Sequence, residues 1–485
     1  MINPENKFDY APAPESKAIA SIASEYGLFI NGKFQAPHSR KKFESINPAT
    51  EETLSKVSFA DETDVDKAVK AARAAYTKTW SKLSGKERAK YLFRIARLLQ
   101  ERSREFAVVE SLDNGKPIRE TRDVDIPLAA AHFFYHAGWA DKLEYAGLGE
   151  KPKPHGVVGQ VIPWNFPLLM LSWKVAPALA TGNTVVLKPA ETTPLSALLF
   201  AEICQQAELP AGVVNIITGD GRTGSALVKH KDVNKIAFTG STEVGKLIAA
   251  SVASSNTPVT LELGGKGANI VFEDAPIDQA VEGIVNGIFF NQGHVCCAGS
   301  RLLLQENIHD EFLHKLQIRM SKIRVGDPLD KNTDLGAINS AAQLSKIREL
   351  TTSGESEGAQ IWSAPCELPH RGFWFPPTVF TGVTQSHRIA REEIFGPVLS
   401  VLTFRTPQEA MEKANNTPYG LSAGVWTDKG SRILWASNQL KAGVIWANTF
   451  NKFDPASPFG GYKESGWGRE GGRHGLAAYI KGAHS

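Results

Sequence analysis

Two adjacent cysteines, Cys296 and Cys297, lie in a loop with glycines on both sides, in the sequence GHVCCAGSR (293–301). A thiol in such a loop can be exposed, and nearby backbone dipoles would then lower its pKa and favour the nucleophilic thiolate. A cysteine is also commonly a small buried apolar side chain, and this structural interpretation stays open. Covalent thiol chemistry requires, in addition, a base close to the loop.

Glu262 is the candidate base, in the sequence LELGGKGA (261–268). It ends an apolar, strand-like run and precedes two glycines, where an unpaired carboxylate is costly unless it is functional. A salt bridge to Lys266 is the structural alternative. The residue types therefore indicate a thiol enzyme with a carboxylate base, without excluding a structural ion pair.

Two turns in the middle of the chain could hold phosphate. Gly219, Gly221 and Gly224 form a literal G-x-G-x-x-G between a strand-like and a helix-like run, and Gly240 and Ser241 open the next helix in FTGSTEVG (238–245). Free N–H groups at a helix start bind phosphate, although three glycines after a strand are often only a turn. The two turns together favour a nucleotide cofactor, without deciding which turn holds it.

The elements that must position these residues follow an alternating pattern from about residue 156. Short β-branched runs alternate with helical runs, which is typical of βαβ units and a parallel sheet, and a second α/β pattern covers 300–445. Upstream, residues 28–34 predict an edge strand, and amphipathic helices are predicted over 61–76 and 87–114. We therefore expect an α/β fold.

The composition is that of a globular protein with a substantial core. The chain has 485 residues, of which 42% are hydrophobic and 22% charged, and this length suggests two or three folding units. Its 54 Lys and Arg residues against 51 Asp and Glu residues give a net charge of +3, and no window concentrates the basic residues. Nucleic acid is therefore not an expected partner.

Sequence patterns also argue against three further classes of protein. The apolar stretch 157–187 is interrupted by Asn165 and three prolines, so it predicts buried strand, turn and helix and no membrane partner. The start of the chain has no basic segment followed by an apolar one, so no secretory signal is indicated and a cytoplasmic location is expected. Four cysteines, none in C-x-x-C spacing, predict neither a disulfide framework nor a metal site.

Taken together, the segments resemble the NAD(P)-dependent aldehyde dehydrogenase superfamily. The matching motifs occur along the chain in the order PWNFP (163–167), KPAETTP (188–194), FTGSTEVG (238–245), LELGGK (261–266), GHVCCAGSR (293–301), EEIFGPV (392–398) and PFGGYKESGWGRE (458–470). The resemblance implies a Rossmann-like dinucleotide-binding domain, an α/β catalytic domain and a small β-ribbon oligomerisation element. The expected boundaries are 1–140 and 155–261 for the first, 262–469 for the second, and 141–154 and 470–485 for the third.

The resemblance also implies a set of catalytic roles. Cys296 would be the nucleophile, with Cys297 a bystander, and the aldehyde would become a carboxylic acid through a thiohemiacetal and a thioester. Asn165 would donate its amide to the oxyanion, together with the backbone N–H of Cys296. Glu262 would activate water for hydrolysis of the thioester, and Lys174 would assist proton movement.

The implied cofactor is NAD, with NADP less favoured. Lys188 and Glu191 would hold the adenine ribose, Ser241 the pyrophosphate and Glu393 the nicotinamide ribose. Phe395 would pack near the nicotinamide ring, and the remaining cofactor contacts would come from Trp164, Gly219 and Gly224.

The small-molecule aldehyde would reach Cys296 through a tunnel. Its implied lining is Phe166, Trp173, Phe290, Val295, Phe453 and Phe459, and small aliphatic, aromatic or amino-aldehyde substrates all stay open. His294 and Val295 depart from the residues that many members carry before the nucleophile. The chain ends at Ser485, where many relatives continue into a further strand, so a homodimer is expected.

Two other functions compete with this interpretation. A CoA-acylating dehydrogenase of the same fold would resolve the thioester with a thiol, but such relatives typically lack the carboxylate that Glu262 supplies. A binding protein without activity would not need Cys296, Glu262, Asn165 and Glu393 together. An assay for NADH formation from aldehydes, with and without CoA, separates the three.

Overall fold

The computed structural model describes residues 11–149 and 151–482. Its strands, in chain order, are β1 (Glu25–Tyr26), β2 (Leu28–Ile30), β3 (Lys33–Gln35), β4 (Lys42–Asn47), β5 (Glu52–Ser58), β6 (Lys153–Pro154), β7 (Val157–Val161), β8 (Thr184–Lys188), β9 (Val214–Ile216), β10 (Lys235–Thr239), β11 (Val259–Glu262), β12 (Ala268–Val271), β13 (Arg301–Gln305), β14 (Gln360–Ser363), β15 (Thr378–Thr381), β16 (Val398–Phe404), β17 (Ser422–Trp426), β18 (Val444–Ala447), β19 (Gly466–Trp467) and β20 (Ile480–Lys481). Its helices are α1 (Glu62–Lys78), α2 (Gly85–Glu101), α3 (Ser103–Asn114), α4 (Ile118–Glu120), α5 (Ile126–Trp139), α6 (Pro167–Ala180), α7 (Leu195–Gln206), α8 (Gly221–Val228), α9 (Thr242–Val252), α10 (Ile277–Phe289), α11 (His309–Met320), α12 (Ala341–Ser356), α13 (Arg388–Arg391), α14 (Pro407–Asn415), α15 (Gly430–Gln439) and α16 (Gly472–Ala477).

The first large sheet within these ranges has eight strands in the order β19-β11-β10-β7-β8-β9-β2-β3. Strands β7 to β11 are parallel to one another. All residues of β8 and β10 are buried, as expected for strands covered by helices on both faces. The alternation predicted from residue 156 onward is therefore confirmed, and with it the Rossmann-like sheet.

The second large sheet has seven strands in the order β14-β15-β16-β13-β12-β17-β18. Its strands are parallel except for β14, which runs antiparallel to β15 at the edge. The short segment 263–267 joins the end of β11 to the start of β12, so it links the two sheets directly. The α/β fold class with a second α/β unit is confirmed.

A two-stranded antiparallel ribbon joins β6 to β20, with Ile480 opposite Pro154. It brings together the two segments, 141–154 and 470–485, that were expected to form the oligomerisation element, although residues 150 and 483–485 lie outside the described part. Strand β19 returns to the first sheet and pairs with β11. The proposed domain boundaries stay a prediction.

Two local predictions were wrong. Residues 28–34 form the hairpin β2–β3, because Asn31 and Gly32 have φ of 54° and 76° and make the tight turn that favours an Asn-Gly pair. The single helix predicted over 87–114 is two helices, α2 and α3, separated at Arg102, whose φ of −96° and ψ of 15° leave the helical region. The guanidinium of Arg102 forms ion pairs with Glu105 on α3 and Glu202 on α7.

No helix among the described residues is both long enough and apolar enough to cross a membrane. The apolar stretch 157–187 instead forms β7, α6 and most of β8. Helix α6 contains Pro177 and is buried along nearly its whole length.

Candidate active site

A cavity of about 170 Å³ opens where the parallel strands of the first sheet end and the cysteine loop begins. Its wall includes Thr239 at the end of β10, Glu262 at the end of β11, and Asn165 beyond β7. Carboxyl ends of parallel strands meet at one edge of a sheet, which is where open α/β folds bind ligands. Cys296 lines the same cavity, so the predicted nucleophile, base and oxyanion donor are brought together.

Asn165 is anchored against the cysteine loop. Its Nδ2 donates a hydrogen bond of 2.8 Å to the carbonyl of His294, two residues before Cys296. Its own carbonyl accepts a bond of 2.7 Å from Nδ2 of Asn291. The amide of Asn165 is therefore held at a defined place beside the loop that carries the thiol.

The pKa of the Cys296 thiol is raised, contrary to the lowered value expected from the sequence. Its hydrogen bond to Cys297 is the largest cause, followed by burial and the charges of Cys297 and Glu393. Cys296 is half-buried, whereas Cys297 is fully buried and its carbonyl accepts a bond from Ser422. The thiol thus requires a base for activation.

Glu262 is buried, and neither of its carboxylate oxygens has a hydrogen-bond partner among the described residues. The Nζ of Lys266 is also unpartnered there, so the alternative Glu262–Lys266 salt bridge is not formed. Burial raises the pKa of Glu262, and the negative charge of Glu470 raises it further. A carboxylate with a raised pKa and no structural partner suits a general base.

Lys174 lies behind the cavity wall. It is fully buried on α6 and its Nζ makes a short hydrogen bond to the carboxylate of Glu470. Glu470 itself lines the cavity and influences the pKa of Glu262. The structure therefore connects Lys174 to the site through Glu470, a residue that the sequence analysis did not select.

The turn at Gly240 and Ser241, not the literal glycine motif, lies in the cavity with Cys296. Ser241 caps α9, and its Oγ accepts a hydrogen bond of 3.3 Å from Val244 N. The hydroxyl of Thr239, at the end of β10, is buried and unpartnered within the described residues. A helix start beside a free hydroxyl fits a phosphate group of a dinucleotide.

The predicted adenine-side residues form a separate group beyond this cavity. Lys188 is buried at the end of β8, and its Nζ pairs with Oε2 of Glu191 at 3.1 Å. A Cβ built on Gly224 would lie 4.0 Å from the Lys188 side chain, which places Gly224 beside it. Gly219 has a φ of 154° in the turn before α8.

The predicted nicotinamide-side residues lie in the wall of the cavity that contains Cys296. They are Glu393, Phe395 and Trp164. Oε1 of Glu393 accepts a hydrogen bond of 2.9 Å from the backbone N–H of Gly265. Phe395 has a left-handed φ of 57°, and its ring meets that of Trp164 edge to face at 5.3 Å. Gln343 and Lys346 on α12 also line the cavity, although the sequence analysis did not select them.

The six predicted tunnel residues all line this cavity. Phe166 and Phe290 stack with centroids 6.1 Å apart, and Trp173 meets Phe459 edge to face at 5.3 Å. Phe453 packs against Phe459 at 5.9 Å, and Val295 lies beside Cys296. Within the described residues, no group of three or more His, Cys, Asp or Glu side chains is placed to hold a metal ion.

Comparison with known proteins gives a consistent result. The model of the aldehyde dehydrogenase family matches residues 34–484. Retinal dehydrogenase 2 of Homo sapiens is 46% identical over 94% of this chain and 90% of its own length, and an aldehyde dehydrogenase of Alternaria alternata is 45% identical over 94% of each chain. The solved structure of an aldehyde dehydrogenase from Bacillus cereus in complex with NAD+ superposes with a TM-score of 0.93, at 42% identity over 97% of this chain and 98% of that one.

Proposed function

This chain belongs to the aldehyde dehydrogenase family, and we propose that it oxidises an aldehyde to a carboxylic acid with NAD, using Cys296 as the nucleophile. The observation that carries the mechanism is the shared cavity of Cys296, Asn165 and Glu262. The unpartnered carboxylate of Glu262 supports the hydrolytic route over transfer of the acyl group to CoA.

The first half-reaction forms a bond between Sγ of Cys296 and the aldehyde carbon. Because the pKa of this thiol is raised, a base must take its proton as the carbon–sulfur bond forms. The carbonyl oxygen becomes an oxyanion, which the side-chain amide of Asn165 stabilises. When bound, NAD supplies the acceptor for the hydride that the thiohemiacetal carbon loses.

The second half-reaction hydrolyses the thioester on Cys296. Water attacks the acyl carbon while Glu262 takes one of its protons, and the carbon–sulfur bond breaks, which releases the product as a carboxylate and leaves the second proton on the thiol of Cys296. Glu470 and Lys174 lie next to Glu262 as a buried ion pair, so a proton on Glu262 has a carboxylate neighbour through which it can leave the cavity.

The residues present fit NAD. Ser241 at the start of α9 would hold the pyrophosphate, with Lys188 and Glu191 on the adenine ribose and Glu393 on the nicotinamide ribose. Glu191 is half exposed, and its carboxylate would accept hydrogen bonds from ribose hydroxyls and repel a 2′-phosphate. NAD is therefore the favoured cofactor, although Lys188 offsets part of this repulsion.

The tunnel favours an uncharged, apolar aldehyde. Its side chains are mostly aromatic or aliphatic. Asp125, the residue just before α5, also lines the cavity and forms a short ion pair with Lys116. Nζ of Lys116 lies 3.7 Å from the centroid of the Phe166 ring, so it already occupies one face of that ring. At this end of the tunnel, a cationic amino-aldehyde would find Asp125 already paired and one face of the Phe166 ring already occupied.

The test is an assay of NADH formation with purified protein. The panel contains phenylacetaldehyde, hexanal, a cationic amino-aldehyde and an aldehyde carrying a carboxylate, each with and without CoA. We expect oxidation without CoA and a kcat/KM at least about 10-fold higher for the two uncharged aldehydes. No NADH from any aldehyde would contradict the function, and strict dependence on CoA would contradict the hydrolytic route.

A homodimer is the proposed assembly. Helix α9 exposes 42% of Val244 and 63% of Leu247, and the adjoining segment 462–467 exposes Tyr462 and Trp467. The ion pair of Lys246 and Glu464, at 2.9 Å, joins α9 to this segment. A patch of this kind on a globular protein is typical of a protein–protein contact.

A cytoplasmic location is proposed on the chemistry of the cysteines. All four are free thiols, and the proposed mechanism requires Cys296 to stay reduced. Such thiols persist in a reducing compartment. Recovery of the protein in the cytosolic fraction of its source cells would test this location.

A further inference from the structure

His294 belongs to the cysteine loop and its ring contacts Trp164 and Phe395 of the proposed nicotinamide site, but the mechanism above makes no use of it. Its side chain is fully buried. Its ring stacks on Phe395 with centroids 5.9 Å apart and meets Trp164 edge to face at 4.8 Å. Since Trp164 and Phe395 also contact each other, the three rings form one packed unit.

The backbone of His294 holds the proposed oxyanion donor. Its carbonyl accepts the hydrogen bond of 2.8 Å from Nδ2 of Asn165 and a second one of 3.3 Å from Nδ2 of Asn291. The Asn165 amide has two N–H groups, and directing one of them at His294 fixes the direction of the other. The position of the His294 carbonyl therefore determines where Asn165 can donate to an oxyanion.

The loop that ends at His294 has an uncommon backbone conformation. Asn291, Gln292 and Gly293 have φ of 49°, 54° and 74°, and Phe395 on the facing segment has 57°. Non-glycine residues rarely adopt this region, and such conformations persist only where surrounding contacts hold them. The ring contact between His294 and Phe395 joins these two strained segments.

We propose that His294 is a positioning residue that couples the seating of the nicotinamide end of NAD to the placement of Asn165. This inference rests on the function proposed above. The side chain acts through its shape, because both ring nitrogens lack a hydrogen-bond partner among the described residues. Burial, reinforced by the charge of Lys116, lowers the pKa of His294 to about 3, so the ring is uncharged at neutral pH.

The first test compares His294→Ala with the ring-preserving His294→Phe. Removal of the ring is expected to weaken NAD binding, measured by titration without aldehyde, and to slow NADH formation in a single turnover by about 10- to 100-fold, because small misplacements of reacting groups cost rates of this size. His294→Phe keeps the packing and loses only unpartnered nitrogens, so both values are expected within about threefold of the wild type. An equal loss in both variants would overturn the proposal.

The second test asks whether His294 acts through Asn165. In an Asn165→Ala background, His294→Ala is expected to slow NADH formation in a single turnover by less than about twofold, since residues that act together have non-additive effects. The same slowing in both backgrounds would show a general structural role and overturn the coupling. If thermal unfolding shows that His294→Ala does not fold, His294→Leu replaces it in both tests.

The outcomes also separate this proposal from the function on which it rests. Wild-type protein that forms no NADH from any aldehyde would contradict the function. If the wild-type protein is active and NAD binding is unchanged in His294→Ala, only the coupling is contradicted.

Discussion

Cys296 and Cys297 differ in burial although they are neighbours in the chain, and this difference assigns the nucleophile. Both residues border the cavity, but Cys296 is half-buried, whereas Cys297 is fully buried and packs in the core. We expect Cys296→Ala to abolish aldehyde oxidation and Cys297→Ala to keep most of it, since the more exposed thiol of Cys296 is the one that an aldehyde in the cavity can reach. Steady-state NADH formation measures both variants. An active Cys296→Ala protein would refute the assignment.

Glu262 is expected to be required for hydrolysis of the thioester. Glu262→Gln preserves size and removes the base, so NADH should form in a burst of about one equivalent per active site, followed by very slow turnover. Intact-mass measurement should then detect an acyl group on the peptide that contains Cys296. Loss of the burst itself would show that Glu262 also activates the thiol, and normal turnover would remove Glu262 from the mechanism.

The raised pKa of Glu262 also predicts the pH dependence of the wild-type rate. The carboxylate is the active form, so kcat should fall as pH decreases through this raised pKa, at a higher pH than for an exposed glutamate. The acid limb of the kcat profile measures the effect. In Glu262→Asp, which keeps a carboxylate, an acid limb should still be present, whereas Glu262→Gln should lack it.

The preference for NAD is expected to depend on the charge of Glu191. Glu191→Gln removes the repulsion of a 2′-phosphate, so the ratio of kcat/KM for NADP to that for NAD should rise by about 10-fold. Glu44 borders the same neighbouring surface cavity as Glu191, and Glu44→Gln is therefore the matched control with no expected change. An unchanged ratio in Glu191→Gln would show that this carboxylate does not approach the ribose.

At the scale of elements, the sequence predicted the strands and helices whose residue patterns depend on neighbouring residues in the chain. The alternation after residue 156 predicted the parallel strands, because strands buried on both faces consist of β-branched and apolar runs. The break at Arg102 escaped prediction, since the helical periodicity continues across it and the carboxylate of Glu202 that pairs with its guanidinium comes from a distant part of the chain. Glu470 was missed for the same reason, because its partner Lys174 is 296 residues away.

The loop before Cys296 depends on Gly293. This glycine has a φ of 74°, and a Cβ there would lie 2.1 Å from the carbonyl oxygen of Gly396. Gly293→Ala is therefore expected to lower kcat by at least about 10-fold, because the loop must move. Gly358→Ala is the matched control, since Gly358 has a φ of 96° and open space around it. It should lose only about 1–2 kcal/mol of stability and keep its kcat.

At the scale of the whole molecule, the cavity that contains Cys296 joins contributions from both sheets, so the two α/β units must fold together to form the site. Glu262 ends a strand of the first sheet, whereas Cys296 precedes β13 of the second. The linking segment 263–267 is short, and β19 returns from the second unit to pair with β11. Thermal unfolding should therefore lose secondary structure and NAD binding in a single transition.

The assembly can be tested on the exposed face of α9. Val244 and Leu247 are three residues apart and therefore share one face of this helix, and 63% of the Leu247 side chain is exposed in the single chain. If this face is covered by a second copy, Leu247→Glu would bury an unpaired carboxylate, and light scattering during size exclusion should show a monomer where the wild type shows a dimer. Leu434 on α15 is exposed to 66%, so Leu434→Glu introduces the same charge at a similar exposure and should leave the dimer intact. A dimer in both variants would place the contact elsewhere, with the β6–β20 ribbon as the next surface to change.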